Sequence, residues 1–210
     1  MSSYGQRVAD NILPLSVDQT DLSAALKEWH YTGNCVDHDG PAVDCQMCEK
    51  TGLRYHFEIA NKQTTYNLMV GSECITRFGV PVLDKDGNPL PAESGARVVS
   101  ADRAKLVEAA RRKRVLAAMM AVLLSDDAAH LLPALEKCLA WIQTNQPLTP
   151  KMMSLLGWRL SHNRIAHNPS DFRVALRKGR HKADLDGFTD FKKKMLIPYL
   201  SSAQRRLIVS

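Results

Sequence analysis

Cys45-Gln46-Met47-Cys48, Leu53-Arg54-Tyr55-His56-Phe57-Glu58-Ile59, Thr65-Tyr66-Asn67-Leu68-Met69-Val70 and Gly71-Ser72-Glu73-Cys74-Ile75 follow one another in the first third of the chain, and their order decides the fold. Cys45 and Cys48 offer two thiols from one tight turn, the spacing of a metal knuckle. Tyr55, Phe57 and Ile59 alternate with polar residues, as a half-buried strand requires. A second alternating run after the polar turn Asn61-Lys62-Gln63 completes a hairpin. The spacing then predicts a helix with Ser72 as N-cap and Cys74 in its first turn, where free backbone amides stabilise a thiolate. Knuckle, hairpin and ligand-bearing helix make a treble-clef-like order.

Working outward, Cys35 precedes the knuckle by ten positions and completes a set of four thiols, Cys35, Cys45, Cys48 and Cys74, suited to one structural zinc ion. Metal binding can fold so small a segment outright. His38 is the rival fourth ligand, and His56 is expected at the surface. The fifth cysteine, Cys138, lies in the apolar run Leu135 to Trp141 and reads as a core residue. Disulfides are not expected, because no signal peptide precedes the module and five cysteines leave one unpaired. The longest apolar run, Val115 to Leu124, is about half a membrane span. A cytoplasmic protein without membrane contact is the simplest expectation.

Charge divides the chain. Residues 1–95 carry seven Lys or Arg against thirteen Asp or Glu, whereas residues 96–210 carry twenty-one against nine. The basic half contains Arg111-Arg112-Lys113-Arg114, Arg177-Lys178-Gly179-Arg180-His181-Lys182, Lys192-Lys193-Lys194 and Arg205-Arg206. Such clusters suit a phosphate backbone, whose condensed counterions they displace. Solvated basic helix faces are the plainer alternative.

The sequence is expected to form two domains, 1–95 with a short helix Leu22–Trp29 before the zinc module, and 96–210 as an α-helical bundle. The overall class is α+β. The stretch Pro81 to Gly95, rich in proline and glycine, reads as a linker or long loop. Ser100 is expected to cap a helix over 101–124, with Leu106, Ala109, Leu116, Met120 and Leu123 on its apolar side. Pro133 separates 127–132 from a helix through Trp141. Thr149-Pro150 starts another, running to about His162. Asn168-Pro169 breaks the chain, Phe172–Leu176 fits either a helical turn or a short strand, and 188–199 and 202–208 read as helices.

Catalytic patterns are weak. There is no phosphate-binding loop, dinucleotide fingerprint, nucleophile elbow or zincin pair. His162-Asn163 and His167-Asn168 are similar to HNH nuclease residues, but they lie far from the hairpin and suit caps and turns. A non-enzymatic protein is expected.

With the four cysteines, the Val70–Ile75 element and a basic helical second half, the chain resembles the large-subunit protein of type IV CRISPR-Cas effector complexes. It is also similar to treble-clef zinc proteins of phages and plasmids. The first resemblance implies a subunit of a ribonucleoprotein in antiviral defence. It would hold the 5′ end of the CRISPR RNA, touch the backbone and RNA-end subunits, and help to sense the flanking motif of target double-stranded DNA. Asn61, Lys62 and Gln63 are candidate base readers, and Arg111, Arg112, Lys113, Arg114, Arg177, Lys178, Arg180, Lys182, Lys192, Lys193 and Lys194 candidate phosphate contacts. The alternative is a stand-alone zinc-dependent DNA-binding regulator or accessory protein of a phage or plasmid.

Overall fold

Ser3 caps the first helix, its hydroxyl accepting from the Gln6 amide at 3.2 Å. The computed structural model describes residues 3–125, 129–176 and 179–209. The protein is mixed α+β and divides into two compact units, Met1–Ala110 and Arg111–Ser210.

In the first unit, α1 (Tyr4–Ile12) buries Val8 and Ile12, four positions apart on one face. Helix α2 (Leu22–Glu28) starts at Asp21, whose carboxylate accepts from the Ser23 amide at 2.8 Å. A three-stranded antiparallel sheet follows in the order β1 (Trp29–Asp37), β2 (Tyr55–Asn61), β3 (Asn67–Val70). Phe57 and Ile59 are fully buried, as their alternation requires. Strand β1 was not expected, since a bulge between Tyr31 and Cys35 interrupts its pairing with β2. Gly33 sits there at φ +88°, a left-handed conformation that favours glycine.

Helix α3 (Ser72–Arg77) begins at its expected place, but Gly71 is the cap, Ser72 is the first helical residue, and no side chain caps it. The stretch from Pro81 is not a free linker. Its Pro81 carbonyl accepts from the Tyr31 amide, Val82 bridges Tyr31, and Leu83 pairs with Pro89. Helix α4 (Ala92–Ser125) starts nine residues before the expected position, placing Ser100 in its interior. Gly95 is buried there because a Cβ would lie 3.1 Å from Val82, so proximity to the preceding loop explains this glycine.

The unit boundary falls within α4. Its buried residues in the second unit are Val115, Ala118, Met119 and Val122, rotated from the expected face, with Met120 left 45% exposed. Of the expected 127–132 segment, residues 127 and 128 lie outside the described residues; Ala129–Leu131 is a 3-10 turn. Helix α5 (Leu132–Gln143) carries Pro133 in its first turn and buries Cys138 completely. Helix α6 (Pro150–His162) matches its expected bounds, with Thr149 Oγ1 accepting from the Met152 amide at 3.3 Å. Its Gly157 packs against Tyr199, to which any Cβ would approach within 2.7 Å.

Phe172, Val174 and Leu176 are buried alternately, and Val174 bridges Leu148 in an extended segment. Helices α7 (Gly179–Asp186), α8 (Asp190–Leu196) and α9 (Ser202–Val209) complete the unit. Helices α4 to α8 contribute to its core around Met153, Leu156, Leu160 and Leu196.

A buried ionic node ties this unit together. Asp171 accepts from Arg114 Nε and Nη2 at 2.8 Å each, and its carbonyl accepts from Arg111. Asp171 is 9% exposed at its side chain, whereas Arg114 is 48% exposed, so solvent weakens the pair without removing it. Asp171→Ala should therefore lower the unfolding free energy by about 2 kcal/mol. Urea denaturation with a loss under about 0.5 kcal/mol would contradict this.

Candidate functional site

Cys45, Cys48 and Cys74 come together, all buried, with sulfurs within 4.8 Å of one another. Local hydrogen bonding builds the knuckle: the Cys45 amide donates to the Lys50 carbonyl at 2.9 Å and the Glu49 amide to the Cys45 carbonyl at 2.8 Å. Glu49 adopts φ +61° to make the turn. The Gln46 amide donates to Met69, fastening the knuckle to β3. Immediately after β3, α3 presents Cys74, whose sulfur lies 3.6 Å from Cys45 and 3.3 Å from Cys48.

Cys45 and Cys74 are shifted in opposite directions. A hydrogen bond from Cys74 brings Cys45 down to about 5; burial opposes this, while the amides of Gly71, Cys48 and Met47 assist. Cys74 moves upward because it bonds to Cys45 and is desolvated. Three convergent soft donors are a set that can hold a metal ion.

Cys35 does not join them. It lies on β1, where burial and the nearby Asp102 carboxylate raise its thiol. His38 is also outside the group; its ring lies 5.0 Å from His56 in an edge-on arrangement. His56 is buried rather than exposed, with Nε2 3.0 Å from the Asp44 carbonyl. Sequence reading missed Tyr4, whose hydroxyl lies 3.3 Å from Cys74 Sγ. Burial pushes the Tyr4 phenol upward, and hydrogen bonds to Cys48 and Cys74 reinforce that shift. No spacing signal marks Tyr4, because α1 carries it to the site through tertiary contacts. A cavity of about 280 Å³ adjoins these four residues, with Lys50, Arg54 and Arg103 also on its walls.

The candidate base reader Asn61 is a structural residue. It ends β2, is buried, and donates to Glu28 Oε2 at 3.0 Å. Its Oδ1 accepts from the amides of Gln63 and Thr64, forming the turn that leaves Lys62 and Gln63 exposed. The Arg111–Arg114 cluster is also used internally. Besides the Asp171 node, Arg111 donates to Asn145 Oδ1 at 2.9 Å and Arg112 to the Gln143 carbonyl at 3.1 Å. Lys113 is exposed. Arg177 and Lys178 lie outside the described residues, as do the side chains of Arg180 and Lys182.

Lys192 and Lys194 are exposed on α8, with Lys193 half-buried between them. Lys192 borders a groove of about 490 Å³ lined also by Lys151, Leu155, Trp158, Phe188 and Phe191. Phe191 is 54% exposed. Lys192 Nζ lies 5.9 Å from the Phe188 ring centroid, while Lys151 pairs with Asp184 at 2.6 Å.

The two histidines of the HNH-like pattern belong to the second unit and have local roles there. His162 is exposed at the end of α6, while His167 bonds through its ring nitrogens to Ile165 O and Tyr199 Oη at 2.8 Å each. Asn168 caps a 3-10 turn. No described helix is long and apolar enough to cross a membrane. Compared with known family models, curated proteins and solved structures, the chain matches none.

Glu28 provides a separate pH test of the first unit. Burial alone would raise its carboxyl, but the Asp18 amide, Asn61 side chain and Val17 amide together hold it below its ordinary value. Its contribution to stability is present above the ordinary carboxylate range and is lost as pH falls through the depressed native value. Glu28→Gln should destabilise the protein at neutral pH and flatten this acid-dependent loss. An unchanged pH–stability profile would exclude that contribution.

Proposed function

We propose that the chain is a non-catalytic nucleic-acid-binding subunit of an RNA-guided effector complex. Its first unit is a treble-clef-like module organised by one structural zinc ion, and its second supplies the main polyanion-binding surface. The pairing of exposed aromatic surface with lysines around the α8 groove carries the nucleic-acid reading. The exposed Phe191 offers a face on which a base can stack, and Lys192 in the same groove with Lys194 farther along α8 offer charge for phosphates. The second unit's eighteen Lys or Arg against seven Asp or Glu support the same partner.

The more specific assignment, a large subunit of a type IV CRISPR-Cas complex, is supported by the Cys45–Ile75 sequence and the basic second half. It assigns CRISPR RNA, target double-stranded DNA and neighbouring effector subunits as partners. The thiol-rich donor set supports zinc over the oxygen-preferring magnesium or calcium. Lys62 and Gln63 retain a place as duplex contacts, whereas Asn61 and the internally bonded Arg111 and Arg114 are assigned to structure.

Purification from the native host, followed by sequencing of bound RNA, should recover a uniform guide-length RNA together with partner subunits. Autonomous duplex binding without such RNA would favour the stand-alone regulator. With recombinant protein, Phe191→Ala should weaken single-stranded RNA binding about tenfold through a lost stack. Lys192→Ala with Lys194→Ala should reduce the salt slope by roughly 1.4. Unchanged affinity and salt dependence in these variants would remove α8 from the interface.

A further inference from the structure

We propose that Tyr4 supplies the fourth ligand to the metal held by Cys45, Cys48 and Cys74, so that the metal fastens α1 to the knuckle and α3. This inference rests on the metal-binding reading above and adds a ligand to it. Tetrahedral zinc with Zn–S near 2.3 Å and Zn–O near 2.0 Å implies edges of roughly 3.8 Å between sulfurs and 3.5 Å between oxygen and sulfur. The observed separations are 3.6 Å for Cys45–Cys74, 3.3 Å for Cys74–Cys48 and 3.3 Å for Tyr4 Oη–Cys74. These three edges are close to the tetrahedral values, and the Tyr4 hydroxyl also hydrogen-bonds Cys48, which puts the phenol oxygen beside an ion that the three thiols would hold.

The surrounding contacts position this phenol. Arg7 Nε donates to the Cys48 carbonyl at 3.0 Å, and Asn11 Nδ2 to the Met47 carbonyl at 3.3 Å, docking α1 directly on the knuckle. The Tyr4 ring stacks on Phe78 with centroids 5.5 Å apart. Arg77 and Arg7 place their guanidinium carbons 5.0 Å and 5.9 Å from its centroid. Three thiolates, one phenolate and a divalent cation sum to −2, and these two arginines balance that charge. On metal binding the remaining thiol protons and the phenol proton would pass to solvent, the sulfurs and the phenolic oxygen would bond to zinc, and the ion would shed the waters that they replace.

The test titrates zinc and cobalt(II) into the full chain and its Tyr4→Phe and Tyr4→His variants. In wild type, zinc should elicit the ultraviolet absorption of one ionised tyrosine, and Tyr4→Phe should lose that signal. Tyr4→Phe should bind zinc about 10- to 100-fold more weakly, with a changed cobalt ligand-field spectrum even at saturation, whereas Tyr4→His should recover affinity. A merely structural tyrosine would leave the saturated cobalt spectrum unchanged. If Tyr4→Phe binds zinc like wild type, with the same cobalt spectrum and no difference in ionised-tyrosine absorption, the fourth-ligand assignment is overturned while the three-thiol site stands. If wild type takes up neither metal, the underlying metal-binding reading fails as well.

Discussion

Three buried sulfurs within 4.8 Å of one another cannot all ionise unless a cation shares their charge. At the 3.6 Å separation of Cys45 and Cys74, two thiolates repel by roughly 5 kcal/mol at an effective dielectric of 20. The hydrogen bond between Cys45 and Cys74 lowers the first thiol and raises the second, as this repulsion requires. The cluster joins segments distant in sequence: the knuckle, the start of α3 and, through Tyr4, helix α1. The chemistry of the sulfurs therefore bears directly on how the first unit holds its elements together.

Buried polar nodes account for residues whose local sequence suggested nucleic-acid contact. Arg111 and Arg114 reach Asp171, more than fifty positions away, while Asn61 bonds Glu28 across |i−j| = 33. Basic character or position near a turn specifies chemical capacity but does not reveal which distant acceptor consumes it. Desolvation explains why these partners matter: a buried carboxylate requires compensating donors, and the amides around Glu28 together with Asn61 supply them. Removing such residues would perturb folding as well as any surface they adjoin.

The parts of the fold legible in the sequence are those governed by nearby residues. Thr149-Pro150 located the start of α6, alternating Phe57 and Ile59 identified β2, and C-x-x-C with the later Gly71–Ile75 segment identified three clustered thiols. Tertiary effects obscured the rest. The Gly33 bulge disguised β1 and hence the place of Cys35, while Gly95 resembled a loop residue although it lies in the first turn of the long helix in close contact with Val82. Tyr4 carried no recognisable motif, because its proximity to Cys74 emerges only when α1 docks through Arg7 and Asn11.

Charge remains informative after those internal bonds are taken into account. Dividing the chain at the structural boundary still leaves eighteen basic against seven acidic residues in the second unit, Lys192 and Lys194 remain exposed, and Lys192 lines the groove with Phe191. A chemically economical division of labour follows from the proposed reading. If Tyr4 completes the metal coordination sphere, that centre offers no vacant vertex for activating water; its task is to orient backbone and side chains. On that reading the α8 groove would supply what the metal centre lacks, stacking surface and cationic side chains, so recognition of a polyanion would require no reaction at the thiol site.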